Sequence, residues 1–133
     1  MFYSILEGIK VIECGNFISA PFCARILADL GAEVIKIEEP DVGDESRQHG
    51  PFLKDTPVLQ NSGLFQYLNM NKLGITLNLG SKKGKKILAD LVTDNNVFIE
   101  NVPPMQRQAL GISYEFLKNI NPAIIMTSIT PFG

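Results

Sequence analysis

Short apolar runs separated by glycine and proline divide the first forty residues into three predicted elements. Residues 9–13 (IKVIE) have the length and composition of a buried strand. A helix is predicted next, with Pro21 in its first turn and Gly31 just past its end. Its apolar stripe, at helical spacing, consists of Cys23, Ile26, Leu27 and Leu30. Residues 34–37 form a second strand, which completes a β-α-β unit.

The rest of the chain continues this alternation of strands and helices. The predicted elements are a short helix at 64–68, a strand at 75–79, a helix at 82–93, a strand at 97–100, a short helix at 114–118 and a strand at 123–129. Ser81 is placed to cap the helix at 82–93, and Ile87, Leu88 and Leu91 are expected to face inward. Residues 40–62 have no sustained period, and a loop this long is typical of a functional segment.

This order of elements favours a single α/β domain, a Rossmann-like parallel sheet flanked by helices with right-handed crossovers. Ligands of such sheets bind beyond the carboxyl ends of the strands. The loops at those ends are 15–20, 38–47, 101–104 and 130–133. We therefore expect a ligand crevice at this edge. The chain stops directly after the last predicted strand, so we interpret it as the N-terminal portion of a longer protein.

Composition narrows the functional classes. The chain has 133 residues, a net charge of −2 and dispersed lysines and arginines, which argues against a nucleic-acid partner. No apolar run reaches the ~18 residues of a membrane span, and we expect a cytoplasmic protein. The two cysteines and His49 do not have metal-ligand spacing. No metal site is expected, and Cys14 and Cys23 are interpreted as buried, reduced thiols.

Glu38 follows the second strand, where a dinucleotide-binding fold would hold a ribose. That site also requires the glycine pattern G-x-G-x-x-G in the first strand-to-helix turn. The turn here is CGNFISAP, with Gly15 as its one glycine. A nicotinamide-dinucleotide site is therefore disfavoured.

Other polar groups leave two interpretations open. The lysine-rich segment 81–86 (SKKGKK) is either a solvated face or an anion contact at a helix start. In the loop GDESRQHGPF, Arg47 is the residue that we favour for function, because its planar fork suits phosphate or carboxylate. Asn69, Asn71 and Asn101 are either turn and cap residues or ligand donors.

Taken together, several segments resemble the opening of the class III CoA-transferases. These segments are LEGIKVIE at 6–13, APFCARILADLGAEVIKIEEPDVGDESR at 20–47, NMNKLGITLNL at 69–79, LVTDNNVFIENVPP at 91–104 and LGISYEFLKNINPAIIMTSITPFG at 110–133. The family includes formyl-CoA and carnitine CoA-transferases and α-methylacyl-CoA racemase. The resemblance covers almost the whole chain and implies the N-terminal part of a longer enzyme.

The resemblance implies a Rossmann-like domain in an interlocked homodimer that transfers CoA between carboxylic acids. An aspartate of the family attacks the acyl-CoA and then carries CoA as an enzyme thioester, which is covalent catalysis. That aspartate is expected beyond this chain, so no residue here is a catalytic candidate. Acyl-CoA and a small carboxylic acid are the expected substrates, with no permanently bound cofactor.

The resemblance also implies where CoA is contacted. The matching positions are Ile18, Ser19, Leu68, Asn69, Met70, Asn71, Asn101, Val102, Pro103, Thr130, Pro131, Phe132 and Gly133. Arg47 and Lys72 are candidates for the phosphate grip, because cations that other members carry are missing here. The positions that lack them are Glu39, Met70, Leu73 and Ala109, with Arg107 as a nearby candidate substitute.

Two alternatives to CoA transfer stay open at this point. One is an acyl-CoA racemase of the same family, which uses the same scaffold for proton transfer at the α-carbon. The other is a nucleotide-binding or interaction module without chemistry of its own.

Overall fold

The computed structural model describes residues 4–56 and 58–131 and confirms the α/β fold. Five parallel strands form one sheet in the described part of the chain. They are β1 (Lys10–Cys14), β2 (Glu33–Glu38), β3 (Leu73–Thr76), β4 (Val97–Glu100) and β5 (Ile125–Ser128). Their order across the sheet is β3-β2-β1-β4-β5. From β1 the chain adds β2 and β3 on one side and then β4 and β5 on the other, so the strand order reverses between β1 and β4. This is the position where open α/β sheets bind ligands.

Five α-helices accompany the sheet in the described residues. They are α1 (Ser19–Asp29), α2 (Gly63–Asn69), α3 (Lys82–Thr93), α4 (Pro104–Leu110) and α5 (Tyr114–Ile120). Ser81 caps α3 as predicted, because its hydroxyl accepts a hydrogen bond from the Gly84 amide at 2.9 Å. None of the helices described here is long and apolar enough to cross a membrane.

The structure adds α4, which the sequence analysis did not predict. Pro104 occupies its first turn and Gly111, with φ of 72°, ends it in the left-handed region. Proline at the start and glycine just past the end are a known helix signature. The signal was therefore present, but the short run between them has only Met105, Ala109 and Leu110 as apolar residues.

The third strand lies earlier than predicted, at 73–76 instead of 75–79. Its ladder with β2 ends at the pair Glu38 and Thr76, because β2 itself stops before Pro40. Leu77 and Leu79 then turn into the core beside the sheet, where both are buried. Their alternation resembles a strand, but it serves a turn that leads into α3.

Apolar clusters cover both faces of the sheet. One cluster packs Ile12 and Phe98 of the sheet against Leu88 and Val92 of α3. The other packs Val11, Val34 and Ile99 of the sheet against α1. The α1 residues buried in that second cluster are Ala20, Ala24 and Ala28. Small residues allow a helix to lie close to a sheet, so the contact face of α1 is the alanine row.

The predicted apolar faces of two helices therefore need correction. Ile26 and Leu30 of the α1 stripe are 45% and 40% exposed, while Cys23 and Leu27 are partly buried. In α3, Leu88 is buried and Leu91 partly buried as expected, but Ile87 is exposed. The buried residues of α3 are Gly84, Leu88 and Val92, which lie four positions apart on the same face.

Candidate functional site

A cavity of about 470 Å³ lies at the carboxyl edge of the sheet. Its walls are formed by the ends of β1 and β2, the loops that follow β1, β2 and β4, the turn before α3, and α4. The volume falls within the range of small-molecule sites, about 300–1,000 Å³. The crevice predicted from strand order is therefore present where the sequence placed it.

Asn16 and Asn101 join the loops after β1 and β4. The Asn101 side chain accepts from the Asn16 amide at 2.8 Å and donates to the Asn16 carbonyl at 2.7 Å. Its amide nitrogen also lies 3.0 Å from the Ser19 hydroxyl. Because these contacts use the amide of Asn101, its role in this structure is to hold the cavity wall in shape.

Phe17 lies in the left-handed backbone region, with φ of 64°. Such a conformation is uncommon for a bulky side chain and occurs at functional sites. The Phe17 amide is held from two sides, by the side-chain oxygen of Asn16 at 2.9 Å and by Asp44 at 3.2 Å. The first turn of the cavity is thus held by its own Asn16 side chain and by Asp44 of a distant loop.

A buried chain of four charges lies beneath this turn. Lys36 contacts Glu13 and Asp44, and Lys72 contacts the second oxygen of Glu13, each at 2.7 Å. All four side chains are at most 2% exposed. The order Asp44–Lys36–Glu13–Lys72 alternates in sign, so each buried charge has an opposite neighbour.

Burial and ion pairing shift the pKa values of these groups in opposite directions. Burial alone lowers the pKa of Lys36, but the carboxylates of Glu13 and Asp44 outweigh it and raise that pKa above its usual value. Burial raises the pKa of Asp44, and the Lys36 ammonium together with hydrogen bonds from Ser46 lowers it overall. Burial lowers the pKa of Lys72, and Glu13 only partly offsets this effect.

Arg47 forms a bidentate pair with Glu38. Its Nε and Nη2 atoms lie 2.7 and 2.8 Å from the two carboxylate oxygens, and its guanidinium lies 3.5 Å from the centre of the Phe65 ring. Burial raises the pKa of Glu38, but the hydrogen bond from Arg47 and the Asp44 amide lower it overall. One edge of the Arg47 fork, Nε and Nη2, and one face of the guanidinium are therefore occupied within the protein.

Arg47, Lys72 and Arg107, the candidates for binding phosphate, each form an ion pair with a carboxylate in this structure. The Lys72 ammonium donates to the Pro21 carbonyl and to the Asn69 side chain, each at 2.8 Å, besides Glu13. Arg107 lies 3.0 Å from the buried carboxylate of Glu100. Among the described residues that line the cavity there is no lysine or arginine, and the charged ones are Glu38, Glu39, Asp44 and Glu45.

The remaining CoA positions implied by the resemblance divide into two groups. Asn101, Val102 and Pro103 line the cavity. Ile18 and Ser19, the segment Leu68–Lys72 and the pair Thr130–Pro131 do not belong to its lining. Within that segment, Leu68 is buried, Met70 is exposed, and Asn71 donates to Asp29 of α1 at 2.7 Å. Phe132 and Gly133 lie outside the described residues.

Several lining residues were not candidates from sequence. Leu77, Leu79 and Gly80 come from the turn before α3, and Gln106 and Leu110 come from α4. The proline at the start of α4 and the glycine just past its end are the sequence signal that would have identified Gln106 and Leu110.

Cys14 also lines the cavity, and burial raises its pKa to about 12. Its thiol therefore stays protonated at neutral pH. Cys14 and Cys23 are both partly exposed, whereas the sequence analysis predicted buried thiols. No cluster of histidine, cysteine and carboxylate residues suited to a metal ion occurs in residues 4–56 and 58–131.

Comparison with known proteins gives matches over almost the whole chain. A family model described as CoA-transferase family III matches residues 6–133. The chain is 40% identical over 129 residues to (R)-2-hydroxy-4-methylpentanoate CoA-transferase of Clostridioides difficile. It is also 40% identical over 128 residues to succinyl-CoA:glutarate CoA-transferase of Homo sapiens. These alignments cover 97% and 96% of this chain and 32% and 28% of the relatives.

A solved structure agrees with the sequence comparison. The crystal structure of a CAIB/BAIF family protein from Brucella suis superimposes with a TM-score of 0.85 at 36% identity. That alignment covers 96% of this chain and 34% of the Brucella protein. The chain therefore spans about a third of the length of the relatives it matches.

Proposed function

The chain belongs to CoA-transferase family III, and on this premise we propose that it is the N-terminal, CoA-binding part of an enzyme that moves CoA between carboxylic acids. The observation that carries the proposal is the cavity at the carboxyl edge, formed within a chain that matches the family almost from end to end. The relatives named above are CoA-transferases. Their names favour transfer over racemisation.

The proposed reaction is a covalent exchange through an aspartate located beyond residue 133. Its carboxylate attacks the carbonyl carbon of the donor acyl-CoA, and CoA leaves as the thiolate. The resulting mixed anhydride is attacked by that thiolate at the aspartyl carbonyl, which releases the donor carboxylate and forms an enzyme thioester. The acceptor carboxylate then goes through the same steps in reverse, so that overall one CoA thioester is exchanged for another.

Residues of this chain would bind and orient the substrate in that scheme. The turn at Gly15–Phe17 and the loop at Asn101–Pro103 form uncharged walls of the cavity, against which the substrate would lie. The turn approaches α1 closely, because a Cβ atom on Gly15 would lie 2.4 Å from that of Ala20. The buried charges hold this wall rigid, which favours binding without a large ordering cost.

We also propose that the protein acts as a homodimer in the cytoplasm. α1 and its two flanking residues expose Ile18, Phe22, Ile26 and Leu30 at four-residue spacing, and each is at least 40% exposed. A continuous apolar row of this kind on a helix is typical of a surface that another polypeptide covers.

The binding part of the proposal is tested by titration calorimetry of this chain with CoA. We expect weak binding with a measurable heat of association. The absence of any binding by the unmodified chain would contradict a CoA site at this edge.

The catalytic part is tested on the complete protein. Incubation with acyl-CoA is expected to give an enzyme-bound thioester that hydroxylamine converts to an aspartyl hydroxamate, detected by peptide mass spectrometry. If no acyl-CoA donor gives a modified aspartate, the transferase mechanism is wrong even if CoA binds.

A further inference from the structure

Glu13 lies buried beneath the cavity and does not line it. Its side chain is 0% exposed, and its two oxygens contact two different lysines at 2.7 Å, Lys36 through Oε1 and Lys72 through Oε2. The lining of the cavity begins one residue later, at Cys14, and neither lysine belongs to it. Any effect of these three side chains on a ligand in the cavity therefore passes through other residues.

Both lysines also bind the main chain of the segment 15–21, which runs from the turn after β1 into the first turn of α1. The Lys36 ammonium donates to the Gly15 carbonyl at 3.1 Å, and the Lys72 ammonium donates to the Pro21 carbonyl at 2.8 Å. These two hydrogen bonds lie at the first and the last residue of the segment. Glu13 therefore holds two cations where they fix both ends of this part of the cavity wall.

The middle of the segment 15–21 depends on such support. Phe17 lines the cavity with φ of 64°, and a bulky residue keeps this left-handed conformation only where its surroundings impose it. Gly15 has little freedom to adjust, because a Cβ atom there would lie 2.4 Å from the Cβ of Ala20 and 3.3 Å from the Glu13 carboxylate. The segment thus packs directly against the carboxylate whose lysine partners bind its ends.

We propose that Glu13 is a positioning residue for nucleotide binding, which keeps the segment 15–21 in its binding conformation through Lys36 and Lys72 without touching the ligand. This inference rests on the proposed function, since it takes CoA as the ligand of the cavity. A wall that is already ordered loses less conformational entropy when the ligand binds. Without the Glu13 carboxylate the ligand itself must order the segment, and binding becomes weaker.

The test is an NMR titration of the isotopically labelled chain with CoA, because chemical shifts report weak dissociation constants and also the individual amides of the segment. Glu13→Gln keeps the size of the side chain and removes its charge. This variant is expected to raise the dissociation constant for CoA about tenfold, equivalent to about 1.4 kcal/mol. In the absence of CoA, the amides of residues 16–20 should exchange hydrogen with solvent faster relative to those of β4 than in the unmodified chain.

The sign of the effect separates positioning from a direct effect of charge. CoA is an anion, and Glu13→Gln removes a negative charge while Lys36 and Lys72 remain. Charge alone would therefore tighten CoA binding, whereas the loss of positioning weakens it. A purely structural role would lower the free energy of unfolding and leave the dissociation constant of the folded chain unchanged.

A second variant keeps the test decisive if Glu13→Gln fails to fold. Glu13→Gln/Lys72→Met removes one carboxylate and one lysine together, and Lys36 keeps its partner Asp44, so no unpaired charge is left in the interior. Because Glu13 acts through the lysines, this double variant is expected to weaken CoA binding by a factor similar to that of Glu13→Gln.

Val92→Ala is the matched control for a general loss of stability. Val92 is buried near the end of α3, which finishes just before β4 begins, so it lies toward the edge of the sheet opposite the cavity. It does not line the cavity. This variant is expected to lower the free energy of unfolding because it leaves a gap in the core, without changing the dissociation constant for CoA.

The other outcomes overturn the inference in distinguishable ways. An unchanged or lower dissociation constant in the folded Glu13 variants would overturn the positioning role and leave the CoA site intact. An equal rise in Val92→Ala would overturn it as well, since weaker binding would then follow from lost stability alone. If CoA shifts no signal of the unmodified chain, the proposed CoA site fails, and the inference fails with it.

Discussion

Lys36→Met tests whether the buried charge chain holds the carboxyl edge together. Methionine has a similar length and fills the same space without a charge. In the structure Lys36 is 2% exposed and lies 2.7 Å from one oxygen each of Glu13 and Asp44. The substitution leaves Glu13 paired with Lys72, but it removes the cation that faces Asp44.

The expected loss follows from the partner left behind. Asp44 is 1% exposed on its side chain, and removing one partner of a buried pair costs about 3–5 kcal/mol. Hydrogen bonds to Asp44 from Ser46 persist, so we expect the lower end, about 3 kcal/mol. Domains of this kind are stable by about 5–15 kcal/mol, so the variant retains a folded state but with a much smaller margin.

Urea unfolding followed by circular dichroism measures this loss. With m of about 1–3 kcal/mol per M, the midpoint is expected to fall by about 1–3 M. Lys86→Met is the matched control, because Lys86 forms an exposed pair with Asp90 at 3.1 Å and such pairs contribute less than about 1 kcal/mol. The double variant Lys36→Met/Asp44→Asn is expected to recover part of the loss, since no unpaired buried charge remains.

The reasoning would be refuted if Lys36→Met and Lys86→Met lowered the free energy of unfolding by the same amount. It would also be refuted if the double variant were much less stable than Lys36→Met alone. In the first case the buried pairs contribute no more than exposed ones, and in the second the loss does not come from an unpaired Asp44.

Two further predictions concern acid stability and self-association. The folded-state pKa values of Glu38 and Asp44 lie below their ordinary values of 4.5 and 3.8. The stability that these ionised carboxylates contribute is therefore present above those values and is lost as pH falls below about 4.5. Urea midpoints should decrease in that range, and a decrease that Asp44→Asn does not reduce would contradict the assignment to Asp44. Sedimentation should show that the chain self-associates through the exposed α1 row. The double variant Phe22→Ser/Ile26→Ser should shift it toward monomer. An unmodified chain that stays monomeric at high concentration would count against the proposed dimer.

Local patterns in the sequence predicted much of the fold. The bounds of α3 and β4 agree with the structure, because a Ser81 cap, helical spacing and a compact apolar strand are local signals. The alternation of strands and helices also predicted the parallel sheet and the edge that holds the cavity. The contact face of α1 was wrong, because periodicity favoured its larger side chains whereas packing against the sheet selected the alanines.

The state of the basic residues near the cavity was decided only by the tertiary structure. The sequence analysis predicted that Arg47 and Lys72 are cations available to a phosphate group, and it did not predict the carboxylates that pair with them. Lys72 lies 59 positions from Glu13 and meets it because β1 and β3 flank β2 in the sheet. Sequence spacing determines which residues share an element, whereas charge pairing depends on how distant elements converge.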